Sequence, residues 1–296
     1  MLPFIPPKRL VFSGGGTRVI AYLGAIQVLE EKGLLKHVKE FCGVSAGGLT
    51  ALMLALGYSI KVLERFSFEY DFSELRSLEP EAMFEITETF GLDTGENVQK
   101  LIHKILKHKG FSADITFQQM AESGRAKAVR FWAADIQNLQ PVEFSAKATP
   151  GIQVAFGLQA SMTIPLYFRP LIHPDTKSYL VDGGVFDNYP LTFLTEDEIQ
   201  ETIGFAFEFG SLPLKVTDIQ SFMASITCGY YKPSYQKFLN VYKHRTIVVP
   251  CGEYSSFDFE ISVESRQKLA SLGRQAAEDF FKRPKGFQLK RRNSVW

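Results

Sequence analysis

The first 57 residues alternate short apolar runs with glycine loops and helical stretches. Leu10-Val11-Phe12 is an apolar run stopped by Ser13-Gly14-Gly15-Gly16, which predicts a buried strand entering a glycine loop. Ala21, Ala25, Val28 and Leu29 then fall at the i, i+4, i+7, i+8 spacing of one helix face, with Gly33 as the stop. Residues 38–42 predict a second strand. After Gly43-Val44-Ser45-Ala46-Gly47-Gly48, the apolar run 49–56 predicts a buried helix ended by Gly57. Strand, loop and helix repeated twice argue a layered α/β domain with a mainly parallel sheet.

Further along, residues 58–125 read as mostly helical, with Leu101, Ile105 and Leu106 on one apolar face. Strands are predicted at 128–133, 142–144, 179–181, 203–207 and 246–249. Ser262 is placed to cap a last helix running to about Phe281, with Glu264 in its first turn. No repeat or low-complexity linker divides the chain. Its composition shifts once: residues 282–296 carry six cations (Lys282, Arg283, Lys285, Lys290, Arg291, Arg292) and no acid. The expected organisation is one domain over 1–284 followed by a basic tail, 285–296.

Composition narrows the class without naming a chemistry. Of 296 residues, 45% are hydrophobic and 22% charged, which excludes a disordered chain or a fibre and leaves enough chain for a large core. Lys+Arg number 33 against Asp+Glu 32, so no global field draws the protein to nucleic acid. Cys42, Cys228 and Cys251 have neither metal-ligand nor disulfide-framework spacing. No charged region precedes an apolar run at the N-terminus, so no Sec signal peptide is expected. The apolar run 49–56 is far short of the ~20 residues of a transmembrane helix. The expected location is the cytoplasm or the surface of a membrane.

Candidate chemistry begins at Gly43-Val44-Ser45-Ala46-Gly47, a G-x-S-x-G pentapeptide. A serine at a sharp strand-to-helix turn, flanked by glycines Gly43 and Gly47, holds its hydroxyl clear of the sheet as a nucleophile. With 23 glycines in the chain, chance supplies roughly 0.1 such pentapeptides, so the predicted strand before it and helix after it carry the weight. The alternative is a helix start that Ser45 merely caps. Gly14-Gly15-Gly16-Thr17-Arg18 lies between another strand and helix, where unshielded backbone N–H groups are suited to an oxyanion. Phosphate-loop patterns fit it poorly: no Gly-Lys-Ser/Thr follows, and Val19 stands where the last glycine of G-x-G-x-x-G would fall.

A nucleophilic serine needs a base. His37, His103, His108, His173 and His244 sit in no distinctive motif, and each also reads as a surface or hydrogen-bonded side chain. The best acidic candidate is Asp182, which ends an apolar strand and enters Gly183-Gly184; an ordinary Asp-Gly turn is the alternative.

Taken in order, Gly14-Gly15-Gly16-x-Arg18, Gly43-x-Ser45-x-Gly47 and Asp182-Gly183-Gly184 resemble the patatin-like phospholipase family. Residues 160–170, Ala133-Ala134-Asp135-Ile136, Asp187-Asn188-Tyr189-Pro190 and Leu272-Gly273-Arg274 agree, and the resemblance covers about 9–281. It departs at Val19, where the family's loop usually continues with glycine.

The resemblance implies a three-layer α/β/α patatin-like fold and a Ser45–Asp182 dyad without a catalytic histidine. It implies an oxyanion loop at Gly14, Gly15 and Gly16, to which Arg18 adds charge. It implies no metal or cofactor, and a fatty-acyl ester substrate such as a phospholipid or lysophospholipid. Phe66, Phe68, Tyr70, Phe72, Met83, Phe84 and Phe90 crowd one segment, either as a lid or acyl channel or as core. The basic tail, with Phe287, Leu289 and Trp296, suits contact with an anionic membrane or is simply a solvated end. A lipid acyltransferase or thioesterase, or a silent lipid-binding module, would share the same residues.

Overall fold

The computed structural model describes residues 5–77, 82–208, 216 and 219–283. β1 (Arg9–Phe12), α1 (Ile20–Glu31), β2 (Glu40–Gly43) and α2 (Ala46–Ala55) alternate as the hydrophobic pattern predicts. Then come α3 (Ile60–Glu69), α4 (Ala82–Thr89), the short strand β3 (Gly91–Asp93), α5 (Glu96–His108) and α6 (Phe117–Glu122). The middle of the chain supplies β4 (Ala128–Asp135), β5 (Gln140–Ser145), α7 (Val154–Ser161), β6 (Leu166–Phe168), β7 (Leu171–Ile172) and β8 (Tyr179–Asp182). The rest is α8 (Glu196–Gln200), β9 (Thr202–Phe207), α9 (Ile219–Tyr242), β10 (Thr246–Val249) and α10 (Val263–Lys282). Ser59, Thr116, Thr195 and Ser262 start helices by accepting the backbone N–H three residues on, an arrangement worth about 1 kcal/mol each.

The main sheet runs β10-β9-β1-β2-β4-β8-β7, with β5 also on β4. The five strands from β10 to β4 are parallel; β5, β8 and β7 are antiparallel additions. Successive strand residues face two cores, as the period of two requires. Leu10, Phe12, Phe41, Phe131, Phe205 and Ile247 face one, under α1, α2, α5, α7 and α10. Val11, Cys42, Trp132 and Ala206 face the other, with Ile199 of α8 and Tyr235 of α9. The result is a central sheet with helices on both faces.

Parallel strands end together, so the two rims of the sheet differ. At the N-terminal rim, Arg9 and Arg130 share the carboxylates of Glu40 and Glu198 in a half-buried ion network that ties β1, β2 and β4 to α8. The C-terminal rim carries the loops after β1 and β2.

Candidate active site

Two strands meet on one edge of β4. β5 occupies the other edge from 130 to 135. β2 therefore runs up the free edge beside 128–131, and β8 comes down it beside 133–135. Gly43 lies opposite Phe131, and Asp182 lies opposite Ala133. The chain leaves β2 through Val44 and Ser45, so topology brings Ser45 and Asp182 together across a long sequence separation.

Ser45 has φ 56° and ψ −136°, a conformation that costs a non-glycine residue about 1–3 kcal/mol. Its flanking glycines allow the turn to close. A Cβ on Gly43 would stand 2.5 Å from the Gly47 carbonyl carbon, and one on Gly47 would stand 2.5 Å from the Ser13 carbonyl oxygen. α2 begins at the next residue, so its N-terminal N–H groups face any negative charge that develops at Ser45.

Asp182 is buried, with 7% of its surface exposed. Burial pushes its carboxyl up to about 6, with the nearby Ser45 hydroxyl and the Gly184 N–H acting in the opposite sense by favouring the charged form. The Gly184 N–H donates to Oδ1 at 2.8 Å.

The glycine loop lies against the serine: a Cβ on Gly14 would be 3.0 Å from the Ser45 Cβ. Asn188 grips that loop, its carbonyl accepting from the Gly14 N–H at 3.0 Å and its Nδ2 donating to the Gly14 carbonyl at 2.9 Å. The Gly14 N–H is thus already engaged, so its place in the loop is structural. Among the described residues, the Gly15 and Gly16 N–H groups have no acceptor. Gly16 holds φ +54°, and a Cβ there would fall 1.8 Å from the Ser256 carbonyl oxygen. Val19 is helical (φ −61°, ψ −15°), so a β-branched residue fits where glycine was expected, and its side chain lines the cavity beside Ser45. Arg18 points elsewhere. Its guanidinium lies over the Phe207 ring, 5.0 Å from the centroid, and it does not line that cavity.

That cavity, of about 90 Å³, opens beside Ser45 between apolar walls that include Leu49, Met53, Leu63, Phe66, Phe72 and Phe168. The aromatic segment therefore divides. Phe66 and Phe72 form the wall, Phe68 and Tyr70 pack against the core, and Met83 and Phe84 on α4 are 72% and 88% exposed. A larger concavity of about 320 Å³ lies at the opposite rim among Arg9, Glu40, Lys127, Arg130 and Glu198, away from Ser45. No histidine lines the cavity at Ser45. His173 accepts the Asp175 and Thr176 N–H groups on its Nδ1, and His244 packs beside Tyr242. Among the described residues no group of three His, Cys, Asp or Glu side chains is set to hold a metal, and no helix is long and apolar enough to cross a membrane. The basic tail, 285–296, lies outside the described residues.

A family model described as Patatin-like phospholipase matches residues 10–195. The chain is 26% identical over 277 residues to an uncharacterized protein of Acanthamoeba polyphaga mimivirus, covering 90% of this chain and 91% of that one. It is 28% identical over 184 residues to a probable lipid hydrolase of Invertebrate iridescent virus 6, covering 62% of each. Among solved structures it is similar in fold to VipD from Legionella pneumophila, with a TM-score of 0.63 and 18% identity. That likeness covers 93% of this chain and 66% of VipD, so the chain spans just under two thirds of that protein's length.

Proposed function

The chain belongs to the patatin-like phospholipase family, and on that premise we propose that it is a serine lipid acyl hydrolase acting through a Ser45–Asp182 dyad. The observation that carries this reading is the topology that ends β2, just before Ser45, and β8, at the buried Asp182, two residues apart on one edge of β4, with Ser45 at the rim of an apolar cavity. The substrate class follows from that cavity: a fatty-acyl ester, its chain against Leu49, Met53 and Phe66 and its polar end outward. Phospholipids and lysophospholipids fit this description.

In the proposed reaction Asp182 takes the Ser45 proton as Oγ attacks the ester carbonyl carbon. The negative charge on the carbonyl oxygen is met by the Gly15 and Gly16 N–H groups and by the start of α2. The tetrahedral adduct collapses, the C–O bond to the alcohol breaks, and Asp182 returns the proton to the departing oxygen. Water, deprotonated by the same carboxylate, then attacks the acyl-Ser45 ester; the bond to Oγ breaks, Asp182 returns the proton to Oγ, and the fatty acid leaves. Each step uses this chain's own groups.

Fatty-acid release from mixed phosphatidylcholine and phosphatidylglycerol vesicles tests the proposal. Wild type releases fatty acid, whereas Ser45→Ala and Asp182→Ala do not. His173→Ala and His244→Ala keep most of the activity, because neither ring lines the site. Complete loss in either folded histidine variant would replace the dyad with a triad. Adding an alcohol acceptor separates hydrolysis from acyl transfer, since only a transferase gives the new ester as its main product.

A further inference from the structure

Ser45 in its strained turn leaves its own N–H pointing away from α2, whose first amides bond back to Val44 and Ser45. A buried donor of this kind must find a partner. The partner is the Ser161 hydroxyl, at 3.0 Å. Ser161 is the last residue of α7, and none of its surface is exposed. The same hydroxyl donates to the Trp132 carbonyl at 2.6 Å. Trp132 lies on β4 between Phe131, opposite Gly43, and Ala133, opposite Asp182. Ser161 thus bridges the gap where β2 ends and β8 ends.

The grip extends to the other member of the dyad. Two residues beyond Ser161, the Thr163 carbonyl accepts the Asp182 N–H at 2.7 Å. That segment is itself fastened. The Thr163 hydroxyl donates to the Gln159 carbonyl at 2.8 Å, and the Gln159 amide donates to the Gly95 carbonyl at 3.2 Å, just before α5. Residues 161–163 therefore bond to the backbone of both Ser45 and Asp182 from a single turn of chain.

We propose that Ser161 is a positioning residue for the dyad: its hydroxyl fixes the Ser45 turn to β4, while the segment it begins fixes Asp182, so one element sets the nucleophile–base distance. This inference rests on the dyad reading. Ser161 touches no substrate. It acts by holding Ser45 at the geometry from which Oγ can attack, where displacements of about 1 Å are costly to rate.

The test compares Ser161→Ala, Ser161→Cys and Ser161→Thr with wild type and Ser45→Ala. Folding is read by thermal melting, nucleophilicity by the rate of fluorophosphonate labelling, and turnover by kcat and KM on a soluble p-nitrophenyl acyl ester. Ala removes the hydroxyl, Cys keeps the size with a much weaker donor and acceptor, and Thr keeps the hydroxyl. The expected result is a fall of at least tenfold in labelling rate and kcat for Ala and Cys, with KM within about twofold of wild type. Thr restores most of both. If Ala does not fold, the Cys and Thr pair carries the same comparison. Wild-type kcat per folded molecule in Ala or Cys, with only a lowered melting temperature, would make Ser161 purely structural and overturn the proposal. Labelling that is absent in wild type, or that survives in Ser45→Ala, would overturn the dyad itself, a failure visible before any Ser161 variant is read.

Discussion

At the scale of single residues, Asp182 is a carboxyl placed where its charge is poorly solvated, and burial moves it up to about 6. The folded state therefore holds the proton more tightly than an unfolded chain, whose aspartates titrate near ~3.9. The contribution of this group to stability is greatest below about pH 4, falls between about 4 and 6 as the buried carboxyl ionises, and stays lower above that. A rise of that size corresponds to roughly 3 kcal/mol at pH 8. Asp182→Asn removes the charge. It is expected to melt at a higher temperature than wild type at pH 8 and at a similar one at pH 4, with activity gone at both. A lower melting temperature at pH 8 would show that the ionised carboxylate is a net support of the fold. Activity follows the opposite sense, because a base must be deprotonated: kcat/KM is expected to rise with pH through about 6. A histidine would titrate in the same range, so the variants and not the pH profile separate the two bases.

Ser45 was legible from its own pentapeptide, because a serine with glycines on both sides, set between a strand and a helix, suits a tight turn that presents its hydroxyl. Asp182 stands out as the best acidic candidate at the end of an apolar strand, but its Asp-Gly step also reads as an ordinary turn, and only the order of the motifs along the chain separates the two. Ser161 was part of a stretch that resembles the family, yet its role was invisible. A buried serine reads as any small core residue until its two partners, Ser45 and Trp132, are in place.

At the scale of elements, those with a strong period or a clear punctuator were predictable. β1, β2, α2, β9, β10 and α10 fall within a few residues of the expected bounds. α7 carries no legible period, because all its residues but one are buried and it shows no polar face for a helical period to reveal. α9 is hidden for a different reason: Pro233 stands inside it, and proline normally ends a helix. The strands β3, β6 and β7 are two or three residues long and leave too little pattern to read.

The loop between β1 and α1 carries its own prediction. Gly16 needs φ +54° and has a carbonyl where a side chain would go. Gly16→Ala is expected to displace a donor from the oxyanion position and lower kcat by about 10²–10³-fold, the usual effect of losing one such group. Gly57 also has positive φ but open space around it, so Gly57→Ala should lose about 1–2 kcal/mol of stability through backbone strain and no activity per folded molecule. Equal activity in the two variants, measured on the same soluble ester, would remove the loop from the reaction.

At the scale of the whole molecule, the decisive fact is the order of strands along β4. Two strands from distant parts of the chain, one parallel and one antiparallel, share an edge and stop two residues apart. No local pattern encodes that meeting, whereas the α/β alternation that frames it was plain from residues 9–57. The uneven charge also belongs to this scale. The last fifteen residues hold six cations in a chain whose net charge is +1, leaving the rest at −5 (1 − 6). We propose that this stretch draws the enzyme to anionic lipid, at about 1 kcal/mol for each cation near the surface. A chain cut after Pro284 is expected to sediment less with phosphatidylglycerol vesicles while hydrolysing a soluble ester as before. Unchanged sedimentation would assign membrane contact to another surface, such as the exposed Met83 and Phe84.

The most direct measurement of the central claim is fluorophosphonate labelling of wild type, Ser45→Ala and Asp182→Ala, each shown to be folded. The dyad predicts rapid covalent labelling of wild type at Ser45, none in Ser45→Ala, and labelling slowed by orders of magnitude in Asp182→Ala. Labelling at wild-type rate in folded Asp182→Ala would mean that another group serves as the base, and labelling retained in Ser45→Ala would mean that the nucleophile lies elsewhere.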